Sequence, residues 1–165
     1  MPSAWRLTKT KYLSTAWDGE GANKSGGRWN RPGVPVVYTS GSLSLALVEV
    51  LVHLSVEILP AYSAVPVEFD QSLVTVVAPG RLPRNWKDSP PPPATQAIGA
   101  EWVASGTSAV LRVPSVVVPG EFNFILNPAH RDFGRIAIGT PMPFPFDARL
   151  LQGPSPAPAL SAGNR

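Results

Sequence analysis

Short runs of apolar and β-branched residues, bounded by glycine, proline or asparagine, dominate the pattern along the chain. Runs of this length and composition predict β-strands. The predicted strands are Val34–Thr39, Val65–Phe69, Leu73–Val77, Ala109–Val113, Val116–Val118, Phe122–Leu126 and Arg135–Ile138. Two of these runs contain proline and a third, Ala109–Val113, is followed directly by one, which favours strand ends, bulges or edges over central positions.

Two segments instead place apolar residues at helical spacing, which predicts helices over Leu43–Leu54 and about Thr95–Ser105. Ser42 stands where an N-cap is expected, and Gly106 stands where a helix would end. Strand content exceeds helix content, so the predicted class is α+β, with mixed short strands and few helices. The order of the strands does not follow from this pattern.

A length of 165 residues fits one domain with a sizeable core. We assign residues 1–152 to that domain. The segment from Gly153 has the composition of a flexible tail. The proline run Pro90–Pro93 predicts an extended surface loop.

Glu49 is the anomaly of the first predicted helix, which is apolar on nearly all sides and is therefore expected to be buried. No lysine or arginine lies three or four positions away to pair with it. Burying an unpaired carboxylate costs several kcal/mol. One interpretation places Glu49 on a wet helix edge, or in a structural pair with Arg28 or Arg112. The other places it in a cleft as a functional carboxylate.

Composition excludes several classes of function. The chain has 14 basic and 11 acidic residues, with no run of basic residues, so direct nucleic-acid binding is not expected. It has no cysteine, and its 2 histidines lack ligand spacing, so neither a disulfide nor a metal site is expected. No apolar stretch is long enough to span a membrane, and the N-terminus lacks a secretory signal, which predicts a cytoplasmic protein. The low charged fraction of 15% suggests a partner-covered surface and is compatible with a homodimer.

The residues before Glu49 include further candidates for a binding site. The pair Gly26-Gly27 precedes Arg28, whose planar fork suits a phosphate or a carboxylate. Tyr38 lies near the end of a predicted strand, one turn before the helix that carries Glu49, so both side chains could face one cleft. The neighbouring Trp29 could stack on a base, but tryptophan is more often a core residue. A P-loop pattern is absent.

The segment "GGRWNRPGVPVVYTSGSLSLALVEVLVHL" resembles the signature of RES-domain proteins, a family named for an arginine, a glutamate and a serine. The resemblance continues through "TQAIGAEWVASGTSAVLRVPSVVVPGEFNFILNPAH" and "GRIAIGTPMPFPFDARLL", and so extends from about Trp5 to Leu151. It implies an ADP-ribosyltransferase-like fold of the diphtheria-toxin type. It also implies that NAD is consumed as a substrate, with no cofactor.

The resemblance further implies a bacterial toxin that cleaves the nicotinamide–ribose bond of NAD, as a glycohydrolase or a phosphorylase. The expected partner is an Xre-type DNA-binding antitoxin. One alternative is a mono-ADP-ribosyltransferase that modifies a protein, since the same residues would serve both reactions. A second alternative is a catalytically inactive binding module.

Residue by residue, the family's catalytic positions correspond to Glu49, Arg28, Tyr38 and Ser115. Its NAD-holding positions correspond to Arg6, Arg28, Tyr38 and Asn127. Ser105 and Ser108 remain alternatives for the family serine. From the residues alone, Ser115 would be assigned to a strand crossing, and Asn127, which precedes a proline, to a turn.

Overall fold

A mixed sheet of eight strands organises the part of the chain that the computed structural model describes, residues 2–54 and 59–152. The strands are β1 (Ser3–Lys9), β2 (Val37–Ser40), β3 (Tyr62–Glu68), β4 (Val74–Val76), β5 (Val110–Pro114), β6 (Phe122–Leu126), β7 (Ala137–Ile138) and β8 (Met142–Phe144). The helices are α1 (Glu20–Ser25), α2 (Leu43–Leu51) and α3 (Pro93–Ser105). Short 3-10 turns link several of them. The predicted α+β class is confirmed.

The strand order is β4-β5-β6-β2-β1-β3-β7, and β8 also pairs with β3. The pair β4–β5 is parallel and the other pairs are antiparallel. β1 pairs with β3 along its whole length, but it pairs with β2 only where Trp5 faces Ser40. The sheet therefore separates into two halves, β4-β5-β6-β2 and β1-β3-β7, that diverge between β1 and β2.

Both faces of the β5–β6 pair are buried, because successive side chains of a strand point to opposite faces. Val110 and Leu126 pack into a cluster with Ala4, Val37 and Phe69. Their neighbours Leu111 and Ile125 point the other way, into a cluster that includes Trp29 and Val36 from the segment before β2 and Ile98 and Trp102 from α3. A sheet covered on both sides gives the continuous apolar runs that the sequence shows here.

Helix α2 covers the other half of the sheet, where Ala46 packs with Leu7, Tyr62 and Ala64. Ser42 caps it as predicted, since its hydroxyl accepts a hydrogen bond from the Leu45 amide at 3.0 Å. The packing of α2 against β1 turns one side of the helix toward the opening between the two halves of the sheet.

Several predicted boundaries need correction. Val116–Val118 is a bend, because the Ser115 hydroxyl accepts hydrogen bonds from the Val117 and Val118 amides and curls the chain. Helix α2 ends at Leu51 rather than Leu54. Pro93 is the first residue of α3, where its missing amide costs nothing, so the proline run is only partly a loop.

The apolar pattern predicted neither α1, β1 nor β8. Only the family resemblance indicated a strand at the position of β1. These three elements are short or carry mixed polar residues, so their apolar periodicity is weak. The predicted tail, residues 153–165, lies outside the described residues, and its flexibility stays a prediction. Within the described ranges, no helix is both long and apolar enough to cross a membrane.

Candidate active site

A cleft of about 1600 Å³ opens where β1 and β2 diverge. Pockets for drug-sized ligands usually measure roughly 300–1,000 Å³, so this one has room for a larger ligand. Its wall includes side chains from β1, the stretch from Ser25 through β2, helix α2, the loop that contains Pro90 and Pro91, the end of β5 with the bend after it, and β6. Arg6, Arg28, Tyr38, Glu49 and Asn123 all line it.

Glu49 projects from α2 into this cleft and is half-buried. Its Oε1 accepts two hydrogen bonds, from the Ser115 hydroxyl at 2.8 Å and from the Asn123 side-chain amide at 2.7 Å. Neither Arg28 nor Arg112 forms an ion pair with it, so the structural pair considered from the sequence is wrong. The guanidinium of Arg112 lies instead over the ring of Phe122, 4.0 Å from its centre.

Ser115 lies behind Glu49 and is 3% exposed, so its hydroxyl is not part of the cleft wall. The hydroxyl accepts hydrogen bonds from two backbone amides, those of Val117 and Val118, both at 3.1 Å. Its own hydrogen is donated to Glu49. The serine hydroxyl therefore supports the carboxylate, and its one donor and both of its acceptor positions are used within the protein.

Tyr38 is held by a buried hydrogen-bond network. Its hydroxyl donates to Asn30 Oδ1 at 2.6 Å and accepts from the Trp29 amide at 3.1 Å. Asn30 is fully buried, and its Nδ2 donates to the carbonyls of Ala22 and Val34. Burial raises the pKa of the Tyr38 phenol well above its usual value, so the group stays neutral.

Gly27 makes this arrangement possible. A Cβ atom at this position would lie 2.5 Å from the Tyr38 hydroxyl oxygen, so only glycine fits against the ring. The carbonyl of Gly27 accepts a hydrogen bond from the Gln96 side chain of α3 at 3.0 Å. Gly27 thus packs against Tyr38, whereas Gly26 lies against Pro32.

Arg28 is anchored by one of its nitrogens. Nη1 donates to the carbonyls of Trp86 at 2.6 Å and Asp88 at 2.8 Å. Burial lowers the pKa of its guanidinium, and the nearby Glu49 charge opposes that shift. Because Nη1 is committed to the loop, the other face of the fork remains for a ligand in the cleft.

Arg6 bridges the gap between the two diverging strands. Its Nη1 donates to the Tyr38 carbonyl at 2.8 Å, a group that the sheet leaves unpaired on the β1 side. Although the residue as a whole is half-buried, protein surrounds its head group, and this burial lowers the pKa of the guanidinium to about 10. It also lines a smaller cavity of about 260 Å³ next to α1.

The charges in the cleft are unbalanced. Four cationic side chains line it, those of Arg6, Lys9, Arg28 and Lys87. Of the described residues in its wall, Glu49 alone carries a carboxylate. Such a cleft attracts a polyanionic ligand and places one negative charge against it. The described residues contain no cluster of His, Asp and Glu that could hold a metal ion.

Residues 3–147 match the family model described as the RES domain. The chain belongs to the RES domain family. It is similar to a protein named Toxin Res from Yersinia enterocolitica, with 38% identity over 88% of this chain and 97% of the relative. It is also 36% identical to a protein from a Sphingobium species named Prs ADP-ribosylating toxin, over 91% of this chain and 97% of the relative.

The fold also matches a solved structure, that of the Mycobacterium tuberculosis MbcT–MbcA toxin–antitoxin complex. The TM-score is 0.68 over 86% of this chain and 83% of the matched chain, with 20% sequence identity. At this identity the likeness shows the fold alone. It confirms the ADP-ribosyltransferase-like RES fold that the sequence resemblance implies.

The RES residues named from the sequence divide into two groups. Arg6, Arg28, Tyr38 and Glu49 meet in the cleft, and Ser115 supports it from behind. Of the three candidate serines, Ser115 is the one that contacts Glu49. Ser105 bonds to the Trp102 carbonyl and Ser108 to the Trp102 indole, both away from the cleft.

Asn127 does not meet the other candidates. It lies just beyond the end of β6 opposite to Asn123, and its Oδ1 accepts a hydrogen bond from the Ala129 amide at 3.1 Å. This is the turn that the following proline predicts. The role of Asn127 in holding NAD stays a prediction, and its place in the fold gives it no support.

Sequence reasoning missed the roles of Asn30 and Asn123. Asn123 is the polar residue in the apolar strand β6, and that interruption is the signal that could have identified it. Asn30 follows a buried tryptophan in an irregular segment, where asparagine is common, so the pattern held no comparable signal. Trp29 itself is a core residue rather than a stacking platform, with 2% exposure.

Replacing Tyr38 with phenylalanine leaves the Trp29 amide and Asn30 Oδ1 without their partner. We expect the free energy of unfolding to fall by about 1–3 kcal/mol, measured by urea denaturation. The pKa of Tyr38 is raised in the fold, so the folded state favours the neutral phenol. The contribution of Tyr38 to the free energy of unfolding is therefore present below about pH 10 and is lost as the pH rises beyond that value. The Tyr12→Phe variant, at an exposed ring, should match the unsubstituted protein. Equal stability of the two variants would contradict the network.

Proposed function

We propose that the protein cleaves the bond between nicotinamide and ribose in NAD and acts as a toxin through this activity. The observation that carries the proposal is Glu49, a carboxylate in a cleft whose other charged wall residues are cations. NAD carries a pyrophosphate, so its negative charge suits the cations. Its glycosidic bond breaks with positive charge on the ribose, which suits the carboxylate.

Cleavage of an N-glycosidic bond builds an oxocarbenium-like charge, as in glycosidases. A fixed carboxylate close to the ribose stabilises that charge without having to reorganise. The apolar surroundings of α2 lower the local dielectric, so the attraction of one charge is stronger than it would be in water. Nicotinamide leaves as a neutral molecule and needs little help from an acid.

Binding would be shared among the residues that surround Glu49. Arg28, whose Nη1 is anchored by the loop, would hold the pyrophosphate with its remaining donors. Tyr38, neutral and fixed by Asn30, would stack on the nicotinamide ring. Arg6 would add positive charge on the β1 side of the cleft.

The decisive variant is Glu49→Gln, which keeps the shape of the side chain and an oxygen that can still accept from Ser115 and Asn123. Loss of the charge should lower nicotinamide release from NAD by roughly 100- to 1,000-fold with unchanged thermal stability. Chromatography of the reaction products measures this release. The control is Glu101→Gln, at an exposed carboxylate on α3, which should turn over normally.

Turnover of Glu49→Gln close to that of the control would rule out the carboxylate role. An unsubstituted protein that binds NAD but releases no nicotinamide would instead identify a binding module.

Transfer of ADP-ribose to a protein is the second candidate, favoured by the name of the Sphingobium relative, Prs ADP-ribosylating toxin. The cleft serves both reactions, because the departure of nicotinamide is the same and the acceptor alone differs. Incubation of NAD labelled in its adenylate with cell extract separates the two. Free ADP-ribose, or its phosphate ester when phosphate is the acceptor, is expected. Labelled protein bands that disappear with Glu49→Gln would establish transfer instead.

A partner that blocks this cleft is also proposed, namely an Xre-type antitoxin. Relatives named Toxin Res and the fold shared with a toxin–antitoxin complex support an antitoxin partner. Its Xre type and its position over the cleft are what the family resemblance implies. Expression of the chain in bacteria should arrest growth and deplete cellular NAD, and co-expression of a protein encoded next to it should prevent both. Growth arrest with a normal NAD level would contradict the proposed activity.

A further inference from the structure

Both hydrogen bonds that Glu49 accepts end on the same oxygen. The Ser115 hydroxyl and the Asn123 amide converge on Oε1, at 2.8 Å and 2.7 Å. Within the described residues, Oε2 has no hydrogen-bond donor. Two donors on one oxygen fix the plane of the carboxylate and leave the second oxygen unoccupied toward the cleft.

The two donors stand on rigid supports. Asn123 belongs to β6, which pairs with β5 on one side and β2 on the other, opposite Val113 and Ser40. Ser115 directly follows β5, and its amide donates to the Glu121 carbonyl at 2.9 Å, which closes the connecting loop. The carboxylate on α2 is therefore held by two adjacent strands of the sheet.

Asn123 makes this contact at a cost. Its Oδ1 is buried and has no hydrogen-bond partner among the described residues. A buried acceptor without a hydrogen-bond partner destabilises the fold, and an apolar residue would avoid that cost. Turning the amide over would place Oδ1 against Glu49 Oε1, so the carboxylate dictates the orientation. The Asn123 side chain therefore orients Glu49 at the expense of the stability of the core.

We infer that Asn123 is a positioning residue for the reaction. Together with Ser115 it holds Glu49 by Oε1 and directs Oε2 to the ribose. This inference rests on the proposed function. The Asn123 side chain acts through Glu49, whereas Arg28 and Tyr38 bind NAD.

The test compares Asn123→Asp with Asn123→Ala. Aspartate keeps the shape but replaces the donor with a like charge beside Oε1, whereas alanine only removes the donor. We expect kcat to fall by about 10- to 100-fold for alanine and further for aspartate. The dissociation constant for NAD, from tryptophan fluorescence, should stay close to that of the unsubstituted protein. The control is Gln71→Glu, which adds the same charge at an exposed amide outside the cleft and should keep full turnover.

A role in filling space predicts the reverse order, with aspartate nearly as active as the unsubstituted protein and alanine impaired. That order, or an equal loss of NAD binding and kcat, would overturn the inference.

A second measurement needs no activity and therefore separates this inference from the proposed function. In a proton–nitrogen spectrum, the Asn123 side-chain amide is identified as the signal that disappears in Asn123→Asp. Removing the charge with Glu49→Gln should shift that signal, because its hydrogen bond then ends on a neutral amide. An unmoved signal would disprove the contact even if NAD is consumed. A shifted signal in a protein that releases no nicotinamide would support the hydrogen bond from Asn123 to Glu49 and reject the proposed function.

Discussion

The divergence of β1 from β2 is the constraint on which the site depends. A fully paired sheet would place a ladder of backbone hydrogen bonds where the cleft now lies. Pairing stops after one position, Trp5 opposite Ser40, and the Arg6 guanidinium takes over the carbonyl of Tyr38. A buried carbonyl without such a donor would be costly, so the arginine allows the two halves of the sheet to separate. The opening is thus part of the hydrogen-bonding scheme of the fold.

Glu49 shows how a charge can belong to an apolar helix. Two neutral donors, Ser115 and Asn123, satisfy one of its oxygens, and no cation among the described residues forms an ion pair with it. An ion pair with Arg28 would have stabilised the charge and also reduced its effect on a ligand. Neutral donors keep the negative charge intact and fixed in direction, which is the condition for electrostatic stabilisation of a transition state.

The sequence predicted the parts of this protein that depend on local pattern. Helix α2, its cap at Ser42 and most strands follow from periodicity and turn residues, and Glu49 was recognised because it violates the pattern. What remained hidden depends on contacts between distant segments. The Arg28 bonds to the loop at Trp86 and Asp88, and the Asn123 bond to Glu49, join residues that no local rule relates. The family resemblance supplied Arg6 and Ser115, but the structure alone gave the task of the serine.

The strand order determines when the site can be completed during synthesis of the chain. β1 is synthesised first but lies inside the sheet, between β2 and β3. The two donors that orient Glu49 come from β6 and the residue after β5, far later in the chain. A nascent chain can therefore hold Arg28, Tyr38 and Glu49 outside the ribosome while the carboxylate still lacks both supports. Completion of the site is delayed until translation has passed β6. Unfinished chains therefore lack the hydrogen bonds from Ser115 and Asn123 to Glu49.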